Sequence, residues 1–192
     1  HERTQQWNAS IGRQLWKTGF DVAYIGTKAK YLPFYYNLNL LPPSTTPFDP
    51  AALPYPLFSS VVYNQTGSSS IYHGLTVKAD SRVGRGLTLN ANYTWAKALD
   101  EVGLNGYLNA PDQNQYDRRL ERGDDPAVRR QTLIFFYTYE LPIGHGKAFL
   151  GNVNGVVDKI VSGWQVAGTT IIQSGQFMSP SFSGVATTNT NQ

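Results

Sequence analysis

The sequence predicts an all-β chain. It reads as an antiparallel up-and-down meander of about six to seven strands, with long loops on one side and one short helix near 153–161. Three observations predict it. Leu87 to Lys97 alternates Leu87, Leu89, Ala91, Tyr93, Trp95 against Thr88, Asn90, Asn92, Thr94, the two faces of a strand. The alternation recurs in five other segments. Short and long connections between them take turns.

The first segment, about 6–16, carries Trp7, Ala9, Ile11 and Leu15 on one parity, interrupted by Arg13. Lys17-Thr18-Gly19 is expected as a tight turn, because glycine supplies the positive φ that hairpins require. The second segment, about 20–27, sets Phe20, Val22 and Tyr24 against Asp21 and Thr27. The third, 71–83, sets Ile71, Leu75, Val77, Ala79 and Val83 against Thr76, Lys78, Asp80 and Arg82. Gly84-Arg85-Gly86 turns it into the fourth, 87–97. The fifth, about 131–141, has Leu133, Phe135, Tyr137, Tyr139 and Leu141 on one side, and a second face softened by Ile134 and Phe136. The sixth, about 164–174, sets Val166, Thr170 and Ile172 against Gln165, Thr169 and Gln173.

The connections carry equal weight. Ala29 to Ser70 holds seven of the 11 prolines (Pro33, Pro42, Pro43, Pro47, Pro50, Pro54, Pro56), so it is expected to form neither helix nor central strand. Leu99 to Arg130 is the second long connection. Loops of this length count against an ordinary soluble fold. Membrane barrels have short turns at one end and long loops at the other, with an aromatic girdle at each interface. The expected girdle residues are Trp7, Trp16, Tyr93, Trp95, Tyr137, Tyr139 and Trp164. Pro142 to Gly163 fits this rhythm less well. Val153, Val156, Val157, Ile160 and Val161 have helical spacing, which predicts a short helix capping one rim.

Composition narrows the function classes. The chain has 192 residues and 41% hydrophobic content, and no run approaches the roughly 18 apolar residues of a spanning helix. Alternate-residue exposure to lipid would pass unseen by that test. Cys is absent, which removes disulfides, thiolate metal sites and a cysteine nucleophile. A net charge of +3 with no basic run gives no argument for nucleic acid. His1, His73 and His145 have no ligand spacing, and Ser174-Gly175-Gln176 is no nucleophile elbow. The chain is therefore expected to be no enzyme and to need no cofactor. Asn8-Ala9-Ser10, Asn64-Gln65-Thr66 and Asn92-Tyr93-Thr94 match a glycosylation pattern that an Asn- and Thr-rich chain produces by chance.

Two clusters are candidate contact sites. Asp112 to Arg130 holds Asp112, Asp117, Glu121, Asp124 and Asp125 with Arg118, Arg119, Arg122, Arg129 and Arg130. Arg forks hold carboxylate or phosphate bidentately, so Arg118, Arg119, Arg122, Asp124, Asp125 and Arg129 are candidate solute contacts. The plainer reading is an ion-pair network fixing a long loop, which the balanced charges favour. Tyr31-Leu32-Pro33-Phe34-Tyr35-Tyr36 can stack on sugar or peptide, or can fold on itself as a loop over the barrel mouth, the reading preferred.

Several phrases together resemble one family. They are Gln6 to Ile11 with Phe20 to Lys28, and Tyr72 to Lys78 with Gly86 to Lys97. Glu121 to Asp124, Arg129-Arg130, Tyr139 to Gly144, and Gly163 to Val166 with Gln173 to Gln176 complete the set. In this order they are similar to the C-terminal barrel of TonB-dependent outer-membrane receptors. The Oar-like type with a carboxypeptidase-regulatory-like domain, common in acidobacteria, is the nearest pattern. The resemblance implies a large barrel in the bacterial outer membrane, a plug domain, and energy-coupled uptake of a large solute.

A chain of about six strands is expected to be a piece of that barrel, since small membrane barrels need about eight. His1 and the polar end from Ala186 to Gln192 read as the ends of an excised segment. Its expected partners are the remaining strands of the receptor and outer-membrane lipid. The alternative is further copies of the chain, paired edge to edge into an extracellular β-rich fibre without transport. A soluble β-sandwich module is the third reading.

Overall fold

The computed structural model describes residues 1–84, 86–101, 114–153 and 155–178. Arg85 of the expected turn, Asp112 of the charge cluster and the polar end from Ala186 lie outside the described residues.

The chain forms one antiparallel sheet. Its strands are β1 (Arg3–Leu15), β2 (Thr18–Asn37), β3 (Val62–Val83), β4 (Leu87–Asp100), β5 (Gly123–Asp124), β6 (Gln131–Glu140) and β7 (Gln165–Gln173). Sheet order is β1-β2-β3-β4-β6-β7, with the two-residue β5 paired to the end of β4. Sequence neighbours are spatial neighbours throughout, which is the meander the alternation predicts. The sheet is not closed: β1 and β7 are its edges.

Several expectations are corrected. The β1–β2 turn is Trp16-Lys17, not Lys17-Thr18-Gly19. Leu15 pairs with Thr18, Trp16 takes φ 52°, and Gly19 sits in the ladder opposite Gln14 and Asp80. The hairpin thus spends its positive φ on an exposed tryptophan. The segment expected as loop from Ala29 to Ser70 is strand at both ends: β2 runs on through Asn37 and β3 starts at Val62, leaving 38–61 as the loop. The expected aromatic loop from Tyr31 to Tyr36 is therefore part of β2. Pro33 is tolerated because the ladder is irregular there. Pairing shifts between Lys30 and Leu32 and again between Leu32 and Pro33. Tyr31, at φ 59°, has no partner on β3, and neither does Gly67 on β2. A bulge of this kind releases a donor that proline lacks. The other six prolines lie between positions 42 and 56, inside the true loop.

That loop is organised by two asparagines. Asn37 Oδ1 accepts from the amides of Asn39 (2.9 Å) and Val61 (3.0 Å). Buried Asn39 accepts from Tyr55 N at 2.9 Å and donates to Phe58 O at 2.5 Å. Side-chain amides here replace a ladder that the prolines cannot make.

The helix α1 (Val156–Val161) falls inside the expected range, at the turn end between β6 and β7. No helix among the described residues is long and apolar enough to cross a membrane, which says nothing of strands.

Candidate functional site

The register aligns the six long strands in phase. One face carries Trp7, Ala9, Ile11 and Leu15 of β1, then Phe20, Val22 and Tyr24 of β2, then Leu75, Val77 and Ala79 of β3. It continues through Leu87, Leu89, Ala91, Tyr93 and Trp95 of β4, Leu133, Phe135, Tyr137 and Tyr139 of β6, and Val166 and Ile172 of β7. The opposite face carries Asn8, Ser10, Asp21, Thr76, Lys78, Asp80, Arg82, Thr88, Asn90, Asn92, Thr94, Thr132, Thr138, Gln165 and Thr169. Ile25, Ile134, Phe136 and Ile171 are its large apolar exceptions. A slip of one residue in any strand would exchange the faces, so the common phase is a strong specification.

Large apolar side chains on the first face stand exposed: Ile11 is 74% accessible, Ile172 57% and Trp95 39%. A monomeric water-soluble domain rarely exposes so extended an apolar surface. Arg13, the residue that interrupts the pattern, sits in the row of Phe20 and Ala79, near the turn end. There a long side chain can reach past the apolar band to water.

The expected girdle residues divide into two belts. Trp7, Tyr93 and Trp95 lie toward the long-loop end. Tyr137, Tyr139, Trp164 and Trp16 lie toward the turn end. Trp164 precedes β7 and donates Nε1–H to Ile160 O at 2.8 Å. Trp164 lies two residues beyond the Leu87–Tyr139–Val166 row, and Trp95 lies eight residues within it. Ten residues span about 33 Å of strand, or about 23 Å of height at a tilt of about 45°. That matches the apolar band of about 25 Å found in barrel walls.

Sequence reasoning missed the members of the upper belt that complete it. Tyr24 Oη lies 2.7 Å from His73 Nδ1, with the rings stacked at 6.1 Å between centroids. Trp7 Nε1 donates to the same Tyr24 oxygen at 3.4 Å, and the indole meets His73 edge-on at 6.3 Å. The indole lies over Gly26, the residue that Trp7 opposes, and a Cβ there would collide with it. Tyr137 covers its own partner Gly168 in the same manner near the other belt. Aromatic rings laid across glycines restore the packing that a bare backbone lacks. An aromatic facing a glycine across a predicted pair was the available signal, but it needs the register.

At the long-loop end, residues 114–130 clasp the strand tips. Arg118 reaches outside the predicted cluster: its Nη2 is 3.4 Å from Glu101 Oε2 and its guanidinium carbon 3.4 Å from the centre of the buried Phe34 ring. Glu101 also accepts from Ser69 N (3.1 Å) and Ser69 Oγ (2.8 Å) at the end of the β3–β4 ladder. Buried Gln115 pairs with the backbone of Asn37 in both directions, at 3.0 and 2.8 Å. Tyr116 Oη donates to Leu40 O at 2.6 Å.

Within the cluster, Arg130 and Asp124 pair at 2.6 Å. Arg119, Arg122, Asp125 and Arg129 form no ion pair among the described residues. Asp125 instead caps a turn by accepting from Ala127 N at 2.8 Å, and Arg129 reaches Gln176 at 3.5 Å. The balanced charges therefore do not pair mainly with one another.

At the opposite rim Asp158 of α1 accepts from His145 N at 2.8 Å and from the Ser162 hydroxyl. These bonds, the Ser162 contact foremost, hold its carboxyl below the usual range. Among the described residues no group of three His, Cys, Asp or Glu could hold a metal ion.

The arrangement can separate two solvents. One face is suited to hydrocarbon between two aromatic belts, the other to water, and one rim carries an ordered polar clasp. A family model described as an outer membrane beta barrel domain matches residues 1–192. No curated protein and no solved structure matches the chain.

Proposed function

Because the chain belongs to the outer membrane beta barrel domain family, we propose that it forms a wall segment of a TonB-dependent receptor that takes up a large solute with coupled energy. The observation that carries the reading is the phase of the faces. Between the two aromatic belts, six strands present mainly apolar residues to one side and mainly polar residues to the other. In this reading the first face meets outer-membrane lipid and the second lines the lumen. The clasp of Arg118, Glu101, Phe34 and Gln115 shapes the outer mouth, and α1 with Trp164 faces the periplasm. The edges β1 and β7 pair with further strands of the same receptor, since an unpaired edge has no place in lipid.

The wider resemblance of the sequence supports the transport role, and two experiments test it. The chain has no cysteine, so Ala91→Cys and Asn90→Cys can be made singly in a cysteine-free form of the complete protein in cells. Membrane-impermeant maleimide should label position 90 and spare position 91; equal labelling ends the wall assignment. Uptake should stop when the inner-membrane energy coupler is deleted, and persistence of uptake would leave a passive pore. Regular filaments formed by the purified polypeptide would favour self-assembly instead.

A further inference from the structure

Beyond Trp95 the apolar face changes character within three rows. The first row is Trp7, Gly26, His73 and Lys97; the second Gln5, Lys28, Ile71 and Leu99; the third Arg3, Lys30 and Ser69. Arg3, Lys28, Lys30 and Lys97 thus share the parity of the lipid-side residues, immediately past the upper aromatic belt. None of them forms an ion pair among the described residues. Two acids end these rows, Asp124 opposite Leu99 and Glu101 opposite Ser69, and Asp124 is held by Arg130 at 2.6 Å. Glu101, next along β4, is committed to Ser69 and Arg118. On the polar face, by contrast, Lys78 and Arg82 lie among Asp21 and Asp80.

We propose that these cations form a docking surface for the phosphorylated headgroup of an outer-leaflet glycolipid. The inference rests on the membrane placement given above, with the long loops outward. Lys28 and Lys97 are two strands and one row apart, about 12 Å, so their long side chains can share one headgroup bearing two phosphates. Arg3 adds a fork suited to phosphate oxygens. A lipid rather than free phosphate is the occupant because the patch is continuous with the apolar band. Acyl chains can lie on Leu75, Val77 and Leu89 while the phosphates meet the lysines. A soluble anion gains no such second contact.

The test uses the complete protein in nanodiscs of phosphatidylcholine with a minor fraction of lipid A. Lipid A retained around wild type, a Lys28→Gln/Lys30→Gln/Lys97→Gln triple variant, and a Lys78→Gln/Arg82→Gln variant is compared by mass spectrometry. The triple variant should lose enrichment by about fivefold per cation removed, while the polar-face variant keeps it. Equal retention in wild type and triple variant overturns the proposal, as does equal loss in the polar-face variant. Displacement of lipid A by millimolar inorganic phosphate alone would show a free-phosphate site and overturn the lipid assignment. A fluorophore on Ala91→Cys, read against brominated lipid, separates the two levels of failure. Without quenching, the membrane placement itself falls; with quenching but no selective retention, only the headgroup proposal falls.

Discussion

Tyr24 and His73, 49 residues apart in sequence, meet on the apolar face with the phenol oxygen 2.7 Å from Nδ1. They stand on adjacent strands, one row apart, and Trp7 donates to the same phenol from a third strand. Tyr24→Phe should remove the bond to His73 and cost about 0.5–1.5 kcal/mol. Urea unfolding of the complete protein in detergent reads this; no change would mean the phenol finds an equal partner in solvent or headgroups.

Gly26 and Trp7 should behave as an interlocked pair. Gly26→Ala places a methyl where the indole lies and should cost about 1–3 kcal/mol. With Trp7→Ala already present, the same alanine should cost far less. A double-mutant cycle showing additive losses would refute the interlock.

Consecutive residues of β4 should differ in their tolerance of charge. Ala91→Arg introduces a guanidinium midway between the belts and should cost about 2–4 kcal/mol of folding in lipid. Asn90→Arg, beside Asp80 on the other face, should be close to neutral. Equal penalties in vesicle-refolded protein would contradict the two-solvent wall.

The Arg118 clasp should be locally, not globally, stabilising. Its ion pair is partly exposed, worth about 0.2–1 kcal/mol, and its stacking on Phe34 adds about 0.5–2 kcal/mol. Arg118→Ala should raise the rate of proteolytic cleavage within 114–130 and leave the unfolding midpoint of the sheet unchanged. Arg118→Lys should give only partial rescue, because it lacks the planar stack.

Asp158 sets an acid limit on the rim that carries α1. Its folded carboxyl is depressed, so its stabilising effect is present above the ordinary aspartate value of 3.8 and fades as pH falls through the folded value. Hydrogen exchange at the His145 amide should accelerate below about pH 4 relative to the strand amides, beyond the intrinsic change. In Asp158→Asn that extra acid response should disappear.

Much of the wall was legible because a strand in a two-solvent sheet announces itself every second residue. All six long strands, their order and α1 follow from alternation and spacing in the sequence. The clasp was less legible. Glu101 lies outside the dense run of charges from 112 to 130, and Phe34 follows a proline in a segment whose composition predicts a loop. Proline density masked the far half of the β2–β3 hairpin, although only Pro33 falls inside it. A residue's partners across a sheet are fixed by register, and register is set by pairings that a linear reading does not supply.

The paired irregularity at Tyr31 and Gly67 has a consequence for how such a wall can vary. Each strand gains one unmatched residue, and Phe34 still meets Gln65 in the same numerical frame as Lys30 meets Ser69. Inside the band between the belts, a single inserted residue would turn a strand inside out. Above it, where water lies on both sides, the insertion reverses nothing that matters. The hairpin tip can therefore lengthen, shorten and change its aromatic content one residue at a time, while the hydrocarbon-facing stretch can change length only in steps of two.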